Sequence, residues 1–173
     1  FFHLGADFSA GGGEAAEPDP GEQALLRRVA QASGATLLMV GTVEPRKGHC
    51  QVLGALEQCW AQGLELNLVI VGKQGWDVDD LARRIGGHPQ RQQRLFWVEG
   101  ASDPLLQRLY AGCDGLVAAS LGEGFGLPLI EAAHHGIPIL ARDIPVFREV
   151  AGEHADYFTA DTDADLAAAL RDW

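Results

Sequence analysis

Five short, predominantly apolar runs without strict alternation recur along this chain: ATLLMVGT (35–42), LNLVIVG (66–72), RLFWVEG (94–100), GLVAAS (115–120) and IPILAR (137–142). A strand with one face in water alternates apolar with polar residues, whereas a strand buried on both faces does not. The gaps hold helical patterns, expected at 22–34, 47–62, 76–86, 103–113, 128–135, 145–152 and 163–173. In the segment 47–62, Val52, Leu53, Leu56, Cys59 and Trp60 recur at three- and four-residue steps. In 103–113, Asp103 is the expected N-cap and Pro104 fits the first turn. The run ADYFTA (155–160) reads as an edge strand. Doubly buried strands alternating with helices require a mostly parallel sheet covered on both faces. Ligands in such α/β sheets lie at the carboxyl ends of the strands. The loops at 42–48, 72–77, 98–103 and 120–127 are therefore where function is sought.

The chain has 173 residues, enough for one domain with a substantial core. Residues 1–20, rich in Gly, Pro, Ala and acid, read as an interdomain linker or loop, and 21–173 as the domain. The formal net charge of −11 argues against a nucleic-acid partner, which requires a basic face. A small anion remains compatible, because local cations and helix ends override the global sign. Cys50, Cys59 and Cys113 are odd in number and not spaced as metal ligands, so free buried thiols in a reducing compartment are expected. No apolar run is long enough to span a bilayer, and FFHLGADFSAGG lacks the basic start of a signal peptide.

Two loops carry chemistry. In VGTVEPRKG (40–48), Arg46 and Lys47 lie between a buried strand and a helix. A planar fork of donors beside a compact cation suits a diphosphate. Taken alone, the pair reads as two ordinary surface cations; its place at a strand's carboxyl end favours a site. In EGFGLPLIEAAHHG (123–136), Gly124 and Gly126 permit tight or left-handed backbone, and Pro128 fits a first helical turn. The amides of residues 125–129, less that of Pro128, are expected to converge on an anion, with the helix dipole behind them. Glu131 lies one turn in and leans back toward that anion, within reach of an attached ribose diol. Glu123 precedes the turn, where it can accept hydrogen bonds from a sugar. The plainer readings are a helix-dipole carboxylate for Glu131 and a solvated loop acid for Glu123.

EGFGLPLIEA resembles the E-x7-E segment of retaining glycosyltransferases of the GT-B fold, most closely glycosyltransferase family 4. GTVEPRKGH resembles that family's diphosphate-contacting loop, and FFHLGAD its linker into the donor-binding domain. The resemblance runs from residue 1 to about residue 170. It implies a Rossmann-like parallel sheet, the carboxyl-terminal half of a GT-B fold. It implies that Arg46 and Lys47 hold a donor's diphosphate, that Glu131 holds the ribose, and that Glu123 with the backbone of Gly124, Phe125 and Gly126 holds the transferred sugar. Leu127 completes the helix tip. Gly41 and Gly72 match positions where backbone nears the ligand, and Trp97 and Val98 the strand end that meets the nucleobase. The resemblance also implies that no metal or other cofactor is needed, and that an amino-terminal acceptor domain lies outside this chain. The implied partners are a nucleoside-diphosphate sugar, with a GDP-sugar preferred over a UDP-sugar on TVEPRKGH and GKQGW, and a glycan or lipid-linked acceptor. The implied setting is bacterial surface polysaccharide assembly in the cytoplasm, with peripheral contact at the inner membrane face.

Other sites fit less well. GTVEPRKG does not match G-x-G-x-x-G after the first strand, and GKQG (72–75) lacks the rest of a P-loop. His134 and His135 are adjacent, so they face apart and make a poor metal pair. Two alternatives to transfer stay open: a non-catalytic nucleotide-binding module in which Glu123 is only a loop acid, and a sugar-nucleotide epimerase of the same fold.

Overall fold

The computed structural model describes residues 17–173. Six strands form one sheet: β1 (Ala35–Val40), β2 (Leu66–Val71), β3 (Leu95–Val98), β4 (Gly115–Ala118), β5 (Ile139–Arg142) and β6 (Asp156–Phe158). Their order is β3-β2-β1-β4-β5-β6, and every pairing is parallel. The helices are α1 (Pro20–Gln31), α2 (His49–Ala61), α3 (Asp79–Gly86), α4 (Asp103–Gly112), α5 (Leu127–His135), α6 (Pro145–Ala151) and α7 (Asp163–Asp172). The chain works outward from β1 to β3 and then returns to β4. The order thus reverses between β1 and β4, which opens a crevice at their carboxyl ends.

The pleat explains the predominantly apolar runs. Leu37, Met39, Leu68 and Ile70 join a core with Val52, Leu53 and Leu56 of α2, Ile85 of α3 and Leu166 of α7. Leu38, Val69, Phe96 and Leu116 join the opposite core, with Leu105 and Leu109 of α4, Leu129 of α5 and Phe147 of α6. Neighbouring residues of one strand thus serve opposite cores, each fully buried leucine contributing ~1.5–3 kcal/mol.

Several boundaries differ from expectation. The expected linker, residues 1–20, lies almost wholly outside the described residues, and α1 already opens at Pro20 under an Asp19–Glu22 capping box. Helix α4 is capped by Ser102, whose hydroxyl accepts from the Leu105 amide, so Asp103 is the first helical residue rather than the cap. Asp77 adopts φ 52° and α3 waits until Asp79, leaving a longer loop after β2 than the helical pattern implied. The helix expected at 47–62 begins only at His49: Lys47 closes a 3-10 turn, Pro45–Lys47, and left-handed Gly48 separates that turn from α2. Cys59 and Cys113 are buried, but Cys50 is exposed. Phe147 is in the core, while Trp60 packs partly buried at its edge. No helix among the described residues is long and apolar enough to cross a membrane.

Candidate functional site

The crevice between β1 and β4 is filled from two sides. The loop after β1 supplies Gly41, Thr42, Glu44, Arg46 and Lys47; the turn after β4 supplies Glu123, Phe125, Gly126, Leu127, Pro128 and Glu131. Together, with Val40 and Leu106, they line a cleft of about 390 Å³. Eight of the residues named from sequence meet here: Gly41, Arg46, Lys47, Glu123, Phe125, Gly126, Leu127 and Glu131.

The two loops are tied together by backbone. The Leu121 amide donates to the Arg46 carbonyl at 2.7 Å, and Arg46 Nη1 donates to the Gly122 carbonyl at 2.9 Å. Gly48 makes this approach possible: a Cβ there would stand 2.4 Å from the Ala119 carbonyl oxygen, and its φ of 77° is strained for other residues. Beneath the turn, buried Arg142 donates from Nε to the Ala119 carbonyl and from Nη1 to the Ala160 carbonyl, both at 3.0 Å. It also bonds Gln51 of α2.

The cations are not idle. Lys47 Nζ forms an ion pair with Glu123 Oε2, and both side chains are mostly withdrawn from water. Arg46 pairs with Glu44 at 2.6 Å and approaches Glu123 at 3.6 Å. Ser120 Oγ donates to Glu123 at 3.3 Å and the Gly124 amide at 3.1 Å. Burial alone would raise the Glu123 carboxyl, but Lys47, the Gly124 amide and Arg46 hold it below the usual carboxylate range. The cleft therefore holds two cations against three carboxylates: Glu44, Glu123 and Glu131. An unscreened contact of this kind is worth about 4 kcal/mol gross in a partly wet site. The α5 N-terminus contributes only ~0.3–1 kcal/mol. An anion entering here must win Lys47 from Glu123 and Arg46 from Glu44 first.

The crown of amides is smaller than expected. The Leu129 amide donates to the Gly126 carbonyl at 3.0 Å, which leaves Leu127, the first helical residue, and its predecessors at the tip. Gly126 is left-handed at φ 79° and buried against Phe147. Glu131 accepts a 2.6 Å hydrogen bond from the buried Tyr110 hydroxyl.

The other residues named from sequence lie elsewhere. Gly72 packs on the end of β1, where a Cβ would fall 1.9 Å from the Gly41 carbonyl oxygen, so close strand packing accounts for the glycine. At Gly41 itself, a Cβ would sit 3.6 Å from Lys47 Nζ. Val98 lines a separate groove of about 260 Å³ beside α1, and its carbonyl accepts from the Gly72 amide. Gly124 is outside the cleft lining, and Trp97 donates to the Gly72 carbonyl. Sequence reasoning missed Glu44, although it stands inside the quoted loop; it joins Arg46 to the exposed Trp76, whose Nε1 donates to it at 3.1 Å. It also missed Tyr110 and buried His49. His49 lines a small hollow of about 20 Å³ beneath the cleft with Lys47, Ser120 and Glu123. Burial, with Lys47 adjacent, pushes the His49 imidazole down to about 4.

The family model for glycosyl transferases group 1 matches residues 27–173. The chain belongs to the group 1 glycosyltransferase family. Within that family it is 52% identical, over 172 residues and 99% of its length, to the serotype-specific mannosyltransferase WbdA of Escherichia coli. It spans 21% of the length of that relative. The fold is similar to that of solved structures, one being HepE of Anabaena in complex with UDP and glucose (TM-score 0.70, 21% identity, 91% of this chain and 44% of that one). A second is the C-terminal domain of LpcC from Francisella tularensis (TM-score 0.68, 18% identity, 90% of this chain and 83% of that one). These two show that the arrangement of sheet and helices is shared.

Proposed function

We propose that this chain is the donor-binding domain of a retaining mannosyltransferase, which moves a mannosyl group from GDP-mannose, or a related GDP-sugar, to a glycan hydroxyl in bacterial surface polysaccharide assembly. The observation that carries this reading is the cleft, where Arg46, Lys47, the α5 tip and Glu131 face one space at the β1–β4 reversal. Identity to WbdA supports mannose, and the complex of HepE with UDP and glucose supports the nucleotide-sugar class. In this reading the residues before the Asp19 cap of α1 serve as linker, the rest of the chain is the donor domain, and a separate half binds the acceptor. A cytoplasmic location, peripheral at the inner membrane face, suits a lipid-linked acceptor.

In this reading the diphosphate displaces Glu123 from Lys47 and takes Arg46, Lys47 and the amides of Gly126 and Leu127. Glu131 accepts the ribose hydroxyls. Glu123, released, accepts hydroxyls of the transferred sugar beside Phe125. As the anomeric carbon becomes cation-like, negative charge grows on the departing diphosphate, and the two cations stabilise it where it develops. That supplies electrostatically what transfer demands without a metal in the scheme, and attack on the same face, assisted by the leaving phosphate, retains configuration. Titration calorimetry of this chain with GDP, UDP and ADP tests the reading. Weak binding, tightest for GDP, is expected; no heat with any of the three overturns it.

A further inference from the structure

Tyr110 lies on α4, in the core between α4 and α5, with no exposed surface. Its ring stacks on His135 of α5 at 5.3 Å between centroids and 7° between planes. His135 in turn bonds Gln107 of α4 at 2.8 Å. The ring is thus clamped between two helices, and its hydroxyl is aimed at one place: Glu131 Oε2, at 2.6 Å, one helical turn before His135. Burial, reinforced by Glu131, pushes the phenol pKa up, so the hydroxyl stays a donor throughout the working pH range.

A carboxylate that grips a vicinal diol must be turned so that its oxygens face the two hydroxyls. A glutamate on an exposed helix face is otherwise free to rotate, and ordering it is a cost charged to binding. Tyr110 occupies one lone pair of Oε2, and because Glu131 lines the cleft, the carboxylate keeps its other lone pairs to accept from a ligand there. We propose that Tyr110 is a positioning residue that holds the Glu131 carboxylate ready for the ribose diol and thereby selects ribonucleotide donors over nucleotides lacking those hydroxyls. The proposal rests on the reading that Glu131 takes the ribose.

The test is a cycle of protein and ligand changes on the 173-residue chain, with calorimetric titration of GDP, UDP and their 2′,3′-dideoxy counterparts. Tyr110→Phe keeps the ring and its stacking, and thermal unfolding verifies that the variant is folded. The wild-type chain binds the ribonucleotides more tightly than the dideoxy forms. Tyr110→Phe weakens the ribonucleotides about three- to tenfold, the scale of one hydrogen bond and one ordered side chain, and leaves the dideoxy forms unchanged. A merely structural tyrosine would weaken both ligand types alike or neither, and either result overturns the proposal. If the wild-type chain does not distinguish the sugars, the ribose role of Glu131 falls and the proposal with it. If the wild type discriminates and Tyr110→Phe discriminates equally well, the ribose role stands and the Tyr110 proposal alone is lost.

Discussion

The Lys47 ammonium and the Glu123 carboxylate are 76 residues apart in sequence and form an ion pair at the floor of the cleft. The relative exposures of the two side chains are 13% and 14%. In the proposed reading, the pair makes Glu123 an internal competitor for the donor's diphosphate.

Glu123→Gln separates the two roles of that residue. Removing the competing charge should tighten binding of sugar-free GDP about tenfold, a net change of ~1.4 kcal/mol and well below the gross ion-pair energy. Transfer by the complete enzyme should fall, because the amide no longer accepts the sugar hydroxyls as a carboxylate does. Calorimetry on this chain and turnover in the longer protein measure the two effects. Weaker GDP binding by the variant would contradict the competition.

Gly48→Ala tests the joint between the loops. The new Cβ would collide with the Ala119 carbonyl, and the left-handed backbone resists any Cβ. Destabilisation of roughly 1–3 kcal/mol follows from strain of this kind. Chemical denaturation measures it, and donor binding should weaken in parallel as Lys47 shifts. An unchanged midpoint would show that the loop has slack here.

His49 gives the fold a pH dependence. The unfolded chain protonates this imidazole near its ordinary value of 6.5, the folded chain only near 4. Between those values the unfolded state binds more protons, so stability is complete above pH 6.5 and declines as pH falls toward 4. Carboxylates held low in the fold, Glu123 among them, add a loss of the same sign at still lower pH. Denaturation midpoints from pH 7.5 to 4.5 should show the decline, and His49→Leu should flatten it. A wild-type profile that is level across this window would contradict the assignment.

The sheet was legible because burial on both faces leaves a mostly apolar run without strict alternation, and β1, β2, β3, β4 and β5 all carry such a run. Short β6, at the sheet edge, could be read only as a candidate. Helix starts were less legible where two capping residues adjoin, as Ser102 and Asp103 do, since either side chain can accept the capping amide. The break at Gly48 was hidden because its cause, the Ala119 carbonyl, is 71 residues away. In the site, residue types at strand ends pointed to the loops that form the cleft. What they could not show was pairing: that Lys47 is neutralised by Glu123, that Glu44 holds Arg46, or that Tyr110 reaches Glu131 from a different helix. Gly72 carries two readings, since a glycine at a strand end serves close packing as readily as ligand approach.

The central claim is that Arg46 and Lys47 together bind the diphosphate. It is tested most directly by titrating GDP into this chain and into the Arg46→Ala/Lys47→Ala double variant, with thermal unfolding as a check on the fold. Each cation makes charge-assisted contacts, so their joint loss should weaken GDP by at least about a hundredfold. A folded double variant that binds GDP as tightly as the wild type would contradict the account.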